Sequence, residues 1–151
     1  MVFRRRSQPS PPSPLGPKIE PLTAAEEEWR DNQLEIAGLL AARFGGASDV
    51  HGLDRVVAGW FEDDESRVDI NTLVNAVGIA MGQHVAEATG LAWAIATDEH
   101  GSDLALHGQP GDILIYPANA AAKRVTAGER RFVAELVSQF VSGVQERRAA
   151  G

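Results

Sequence analysis

The chain contains no cysteine, which excludes a disulfide framework, a thiol nucleophile and any cysteine-ligated zinc, and suits a reducing cytoplasm. No apolar run approaches the roughly 20 residues needed to cross a bilayer, so no membrane association is expected. The basic start, MVFRRR, is followed by Ser, Gln and Pro where an export signal needs an apolar stretch. These absences together give a cytoplasmic expectation. Aromatic residues make up only 6% of the chain, too few for a base-stacking platform. The G-x-S-x-G elbow, the Walker glycine loop, the dinucleotide glycine fingerprint and H-E-x-x-H are all missing, so no catalytic set and no cofactor are expected.

Charge is divided unevenly. Residues 1–18 hold Arg4, Arg5, Arg6 and Lys18 and no acid, for +4, whereas the remaining 133 residues hold 10 basic and 21 acidic side chains, for −11. An acidic body repels phosphate backbones and carries no basic stripe, so nucleic acid is not an expected partner.

The length suits one domain with a real core. Most of the prolines fall between residues 7 and 22, and proline lacks the amide donor that regular structure needs. Residues 1–22 therefore read as a disordered, basic, Pro-rich tail, and 23–148 as a single α+β domain. Thr23 with Glu26 forms a capping box that opens a helix with Trp29, Ile36, Leu40 and Phe44 on one face, ended by Gly45 and Gly46. LDRVVAGWFEDDES (53–66) carries a short helix and an exposed acidic turn, leaving His51 in a loop. The clearest helix runs from Ile70 to Gly90, with Leu73, Val74, Val77, Met81 and Val85 at helical spacing. Its Gly78 and Gly82 each cost roughly 1 kcal/mol relative to Ala, which a close approach by a strand or helix, or an interface, would offset. LAWAIAT, DLALHG and DILIYP then read as a three-stranded antiparallel meander. A short Ala-rich helix follows Pro117, and a second capping box, Thr126 to Glu129, opens the last helix. The expected architecture is this meander packed with about four helices.

TDEHGSDLALHG (97–108) is the stretch closest to chemistry, with three carboxylates and two imidazoles. A loop over Glu99–Ser102 would set Thr97 opposite Leu104, Ile95 opposite Leu106 and Asp98 directly across from Asp103. Like charges so placed need relief. The loop amides could supply it, or Lys123 or Arg124 by an ion pair, Arg124 being the stronger because its planar fork engages two carboxylates. A metal held by Asp98 and Asp103 with His100 or His107 is a third possibility, but His100 lies on the loop and His107 two pairs away, so the groups do not converge and no metal is expected. His84 and Glu87, at i, i+3, form too small a set for a helix-borne metal site.

INTLVNAVGIAMGQHVAEATGLAWAIATDEHGSDLALHG and ILIYPANAAAKRVTAGE together resemble a family of bacterial domains of unknown function, number 3806 in that series, over about residues 70–129. The likeness lies in the order of parts: a small-residue helix, a Trp-bearing strand, the hairpin written here Asp98, Gly101, Asp103, and a strand ending in Pro117 before Lys123 and Arg124. The resemblance implies a bacterial, cytoplasmic α+β domain and brings no activity with it. His100 stands where such sequences lead one to expect an aromatic.

Three functional expectations follow from this reading. The preferred one is a non-enzymatic binding or regulatory module that offers an acidic surface, the alanine face or the hairpin tip to a protein partner; a toxin-neutralising immunity protein is one such case. The others are a small hydrolase or metal-dependent enzyme using Asp98 and Asp103, and self-association through the small-residue face of the long helix.

Overall fold

A computed structural model describes residues 16–44 and 46–150. It is an α+β fold. Its elements in chain order are β1 (Lys18–Pro21), α1 (Ala24–Arg43), α2 (Val50–Glu62), α3 (Ile70–Thr89), β2 (Ala92–Asp98), β3 (Gly101–Gly108), β4 (Ile113–Ile115), α4 (Pro117–Thr126) and α5 (Val133–Ala150). The strands form one antiparallel sheet in the order β1-β2-β3-β4. Among the described residues, no helix is long and apolar enough to cross a membrane.

The sheet has four strands where the sequence reading has three, and the added strand lies inside the segment assigned to the tail. Residues 1–15 of that segment are outside the described residues. Lys18–Pro21 instead pair with Ala94–Thr97. Proline is compatible with this strand because β1 is an edge, where an absent N–H costs no ladder bond.

Local chemistry explains the helix starts. Glu26 N donates to Thr23 Oγ1 at 3.2 Å and Thr23 N to Glu26 Oε1 at 2.8 Å, the reciprocal capping box. Asp49 accepts from Gly52 N and Asp69 from Thr72 N, each at 2.7 Å. The Asp49 cap starts α2 before Leu53, so His51 lies in its first turn and not in a loop. Gly90, at φ 76°, ends α3 in the left-handed region. Gly46 donates to Ala41 O at 3.0 Å beyond the end of α1, and Gly45 lies outside the described residues.

The expected capping box at Thr126 and Glu129 does not form. Thr126 is the last residue of α4, and the chain turns at Gly128, φ 81°, where Gly128 N reaches Val125 O at 2.9 Å and Glu129 N reaches Arg124 O at 3.0 Å. This is a Schellman closure, which needs glycine at the left-handed position. The start of α5 is capped from a distance. Asp54 of α2, 6% exposed, accepts from Phe132 N (2.9 Å) and Val133 N (2.7 Å) through Oδ1 and from Ala134 N (3.1 Å) through Oδ2.

The core is built around α3, which touches all four other helices. Ala76, Val77, Ile79, Ala80 and Met81 are all buried, so it is apolar on every side over its middle turns. Trp93, Ile95, Leu104, Leu106, Ile113 and Ile115 bring one sheet face to the helices. Gly78 and Gly82 face α4 and Trp93. A Cβ on Gly78 would lie 2.5 Å from Ala118 Cα and 3.1 Å from Pro117 O, and one on Gly82 would lie 2.5 Å from the Trp93 ring. The small-residue face is therefore filled within the chain and is not available for self-association.

Opposite signs are expected for two Gly→Ala changes in helices. Gly78→Ala meets backbone that cannot yield, and overpacking of about 1–3 kcal/mol outweighs the ~1 kcal/mol of regained helix propensity. Gly38, in α1, has nothing within 4 Å, so Gly38→Ala is expected to stabilise by about 0.5–1 kcal/mol. Urea unfolding reads both. A Gly78→Ala protein as stable as the parent would contradict the close packing.

Asp54→Ala is expected to cost about 3 kcal/mol, more than the ~1 kcal/mol typical of a surface cap, because buried amides lose a charged acceptor. Asp54→Asn keeps one oxygen for two of the three amides and should lose less. Equal losses for Ala and Asn in the same unfolding experiment would reject the capping role.

Candidate functional site

The β2–β3 hairpin closes through a two-residue turn, Glu99–His100, so Asp98 pairs with Gly101, Ala96 with Asp103 and Ile95 with Leu104. The register is two residues tighter than the sequence reading proposes. Both registers leave each side chain on the same face, because side chains alternate with period two. Asp98 and Asp103 thus share a face but stand on a diagonal, roughly 7–8 Å apart along the sheet and not directly opposed. Gly101, at φ 123°, takes the turn's strained position. Asp98 Oδ1 accepts from His100 N at 2.7 Å, and the hydroxyls of Thr97 and Ser102 meet across the strands at 2.8 Å. Loop amides do serve Asp98.

The other expected members of the cluster are dispersed. His100 is exposed, its Nε2 3.5 Å from Glu99. His107 Nε2 lies 3.2 Å from Asp112 in the next turn, where Gln109 Nε2 also donates to Asp112 at 2.9 Å. The Gln109 amide, then His107, hold the Asp112 carboxyl below its ordinary value. Arg124 is bonded to Glu129 at 3.3 Å. It is not the expected counter-ion of the hairpin, because the Gly128 turn folds Glu129 back over the last turn of α4. Lys123 is exposed and makes no ion pair among the described residues; it borders a shallow groove with Asn119 and Thr126. His84 bonds the Ser48 carbonyl at 2.7 Å, and Glu87 accepts from Gln83. Among the described residues, no three His, Asp or Glu side chains form a group that could hold a metal.

What the hairpin does border is a pocket of about 190 Å3. β4 pairs with β3 only at Leu106–Gly108, because Pro117 turns the chain into α4. Beside the remaining length of β3, the pocket opens between Asp103 and Leu104, Tyr116, the first turns of α4 at Ala118 and Asn119, and the N-terminal half of α3 at Asn71 and Asn75. Trp29 of α1 and Ile79 of α3 supply apolar wall. The lining holds one carboxylate, one phenol and three carboxamides on an apolar base. Burial, then the negative charges of Asp98 and Asp103, raise the Tyr116 phenol above its ordinary value. The pocket is therefore electronegative, and its phenol is neutral at physiological pH.

A family model described as a domain of unknown function (DUF3806) matches residues 49–136. The chain belongs to this family. The match reaches further than the resemblance read from the sequence, taking in α2 at one end and the first turn of α5 at the other. It includes every pocket residue except Trp29. No curated protein and no solved structure matches the chain.

Sequence reading finds Asp103 but not Trp29, Asn71, Asn75, Tyr116 or Asn119. The available signal was Asn71 and Asn75, four apart on one face of an otherwise apolar helix.

Tyr116 is the chain's single tyrosine, so phenolate absorbance reads it directly. Its titration midpoint is expected above 10 and is expected to fall in Asp103→Asn, which removes one of the carboxylates. Folding favours the neutral phenol, so this contribution to stability is complete below pH ~10 and is lost as pH rises through the raised value. A midpoint at or below 10 would deny the electronegative setting.

Proposed function

We propose that the domain is a non-enzymatic binding module, and that the pocket beside β3 receives a basic side chain of a protein partner. The observation that carries this reading is the lining itself. Among the described residues Asp103 is its one charged side chain, and the rings of Trp29 and Tyr116 stand with it, a combination that suits a guanidinium or ammonium group through charge-assisted hydrogen bonding and ring contact. The amides of Asn71, Asn75 and Asn119 can accept the remaining N–H donors. The body's charge of −11 steers a basic partner towards the surface.

An acid/base or hydrolytic reading has less support. Asp98 is bonded into its turn and stands on a diagonal from Asp103, farther than two carboxylates that share a proton.

The test is a titration, followed by NMR, with acetyl-Gly-Arg-Gly-amide and with its Glu counterpart. The Arg peptide is expected to shift the side-chain amides of Asn71, Asn75 and Asn119 and the Trp29 indole. Asp103→Asn should weaken it by about 1.5–3 kcal/mol, the worth of a hydrogen bond to a charged group. Equal responses to both peptides, or shifts confined to other surfaces, would reject the reading.

A further inference from the structure

A second cavity, about 620 Å3 in volume, lies between α2 and the start of α5 and is lined by His51, Asp54, Arg55, Arg131, Phe132 and Glu135 among others. We propose that it binds a small oxyanion carrying at least two negative charges, a phosphate ester or a polycarboxylate. This site is independent of the pocket beside β3.

The argument starts from how the protein uses its cations. Of the ten Lys and Arg in residues 19–151, Arg30, Arg43, Arg67 and Arg124 make ion pairs with Asp31, Asp63, Asp64 and Glu129. Arg147 and Arg148 donate to the carbonyls of Gly111 and Thr89, and Arg130 lies over the Phe61 ring at 5.4 Å. Arg55, Arg131 and Lys123 make no ion pair or side-chain hydrogen bond with a described residue. In a body with twice as many acids as bases, two of these three cations line one cavity.

The fold holds them together. Asp54 binds the amides of Phe132 and Val133, so the residue after Asp54 and the residue before Phe132 are brought to the same cavity. These are Arg55 and Arg131. His51, four positions before Arg55, shares its helix face and adds a ring nitrogen. Of the two carboxylates at the cavity, Asp54 is already committed to three amides, and Glu135 is exposed at the start of α5. Two guanidinium forks suit the planar, multi-oxygen geometry of phosphate and carboxylate. The volume is that of a small-molecule site, and the acidic remainder of the body opposes a polyanionic chain.

Isothermal titration of the full chain with pyrophosphate, and separately with citrate, tests this. Saturable binding is expected for at least one: pyrophosphate alone identifies a phosphate ligand, and citrate alone a polycarboxylate. Arg55→Ala and Arg131→Ala should each weaken binding about tenfold or more. Lys123→Ala, which removes another cation that has no ion pair among the described residues, and Asp103→Asn, in the other pocket, should leave it unchanged. Glu135→Gln should tighten it. The proposal is overturned if neither probe saturates below about 1 mM, if Lys123→Ala weakens binding as much as Arg131→Ala, or if Glu135→Gln weakens it.

Discussion

The approach of α4 to α3 at Gly78 governs where everything around it can lie. A backbone atom of Ala118 stands where a side chain would begin, so the two helices meet main chain to main chain. Only a residue without a Cβ permits that, and the ~1 kcal/mol lost in helix propensity is the cost. Once α4 is seated there, Pro117 must end β4, since its missing amide and fixed φ suit the first turn of a helix and not a continued ladder. β4 is consequently three residues long. The length of β3 that β4 does not pair, and the place of Tyr116 in the pocket lining beside it, both follow. The pocket is therefore a geometric consequence of one glycine and one proline, and its polar residues decorate a gap that the packing opens.

Asp54 is a constraint of another kind. A buried carboxylate usually needs a cation, and a cation removed from water brings a desolvation cost of its own. Here the amide of Phe132 and the first two amides of α5 take that place, and the partial positive charge at a helix N-terminus complements the carboxylate. α2 and α5 are joined by hydrogen bonds that act at a fixed distance and angle, which apolar contact alone does not provide. Among the described residues, the neighbouring Arg55 and Arg131 take no part in this cap or in an ion pair.

Much of the fold was legible because it rests on local rules. The Thr23–Glu26 box, the apolar periodicity of α3 and its stop at Gly90, and the alternation in β2 and β3 each lie within a few residues of one another. The hairpin register was not legible, since two-residue and four-residue turns both put Trp93, Ile95, Leu104 and Leu106 on the core face, and hydrophobic pattern cannot separate them. β1 was hidden by Pro21 and by Pro17 just before it, since proline argues against a strand everywhere except at an edge. The cap of α5 was hidden by distance: Thr126 and Glu129 spell a local box, but Gly128 between them favours a helix end, and the true acceptor lies 78 positions before Phe132. For the pocket, residues arrive from α1, α3, β3, the β4–α4 junction and α4. No linear pattern records such a meeting.

The two cavities gather different groups on a body that is strongly acidic, Asp103 in one and Arg55 and Arg131 with Asp54 and Glu135 in the other, and distance decides how far each feels that body. At physiological ionic strength, charges more than roughly 8 Å apart across solvent are largely screened. Local groups therefore set the character of each cavity: Asp98 and Asp103 beside Tyr116, Arg55 and Arg131 beside His51. The body's field acts mainly on encounter. It favours the approach of basic groups and opposes that of anions. Affinity for an anion must then come from short, bidentate contacts that hold the ligand once it has entered, because attraction from afar is lacking. Arginine at both positions suits the proposed anion for this reason, since a lysine would offer only a point charge.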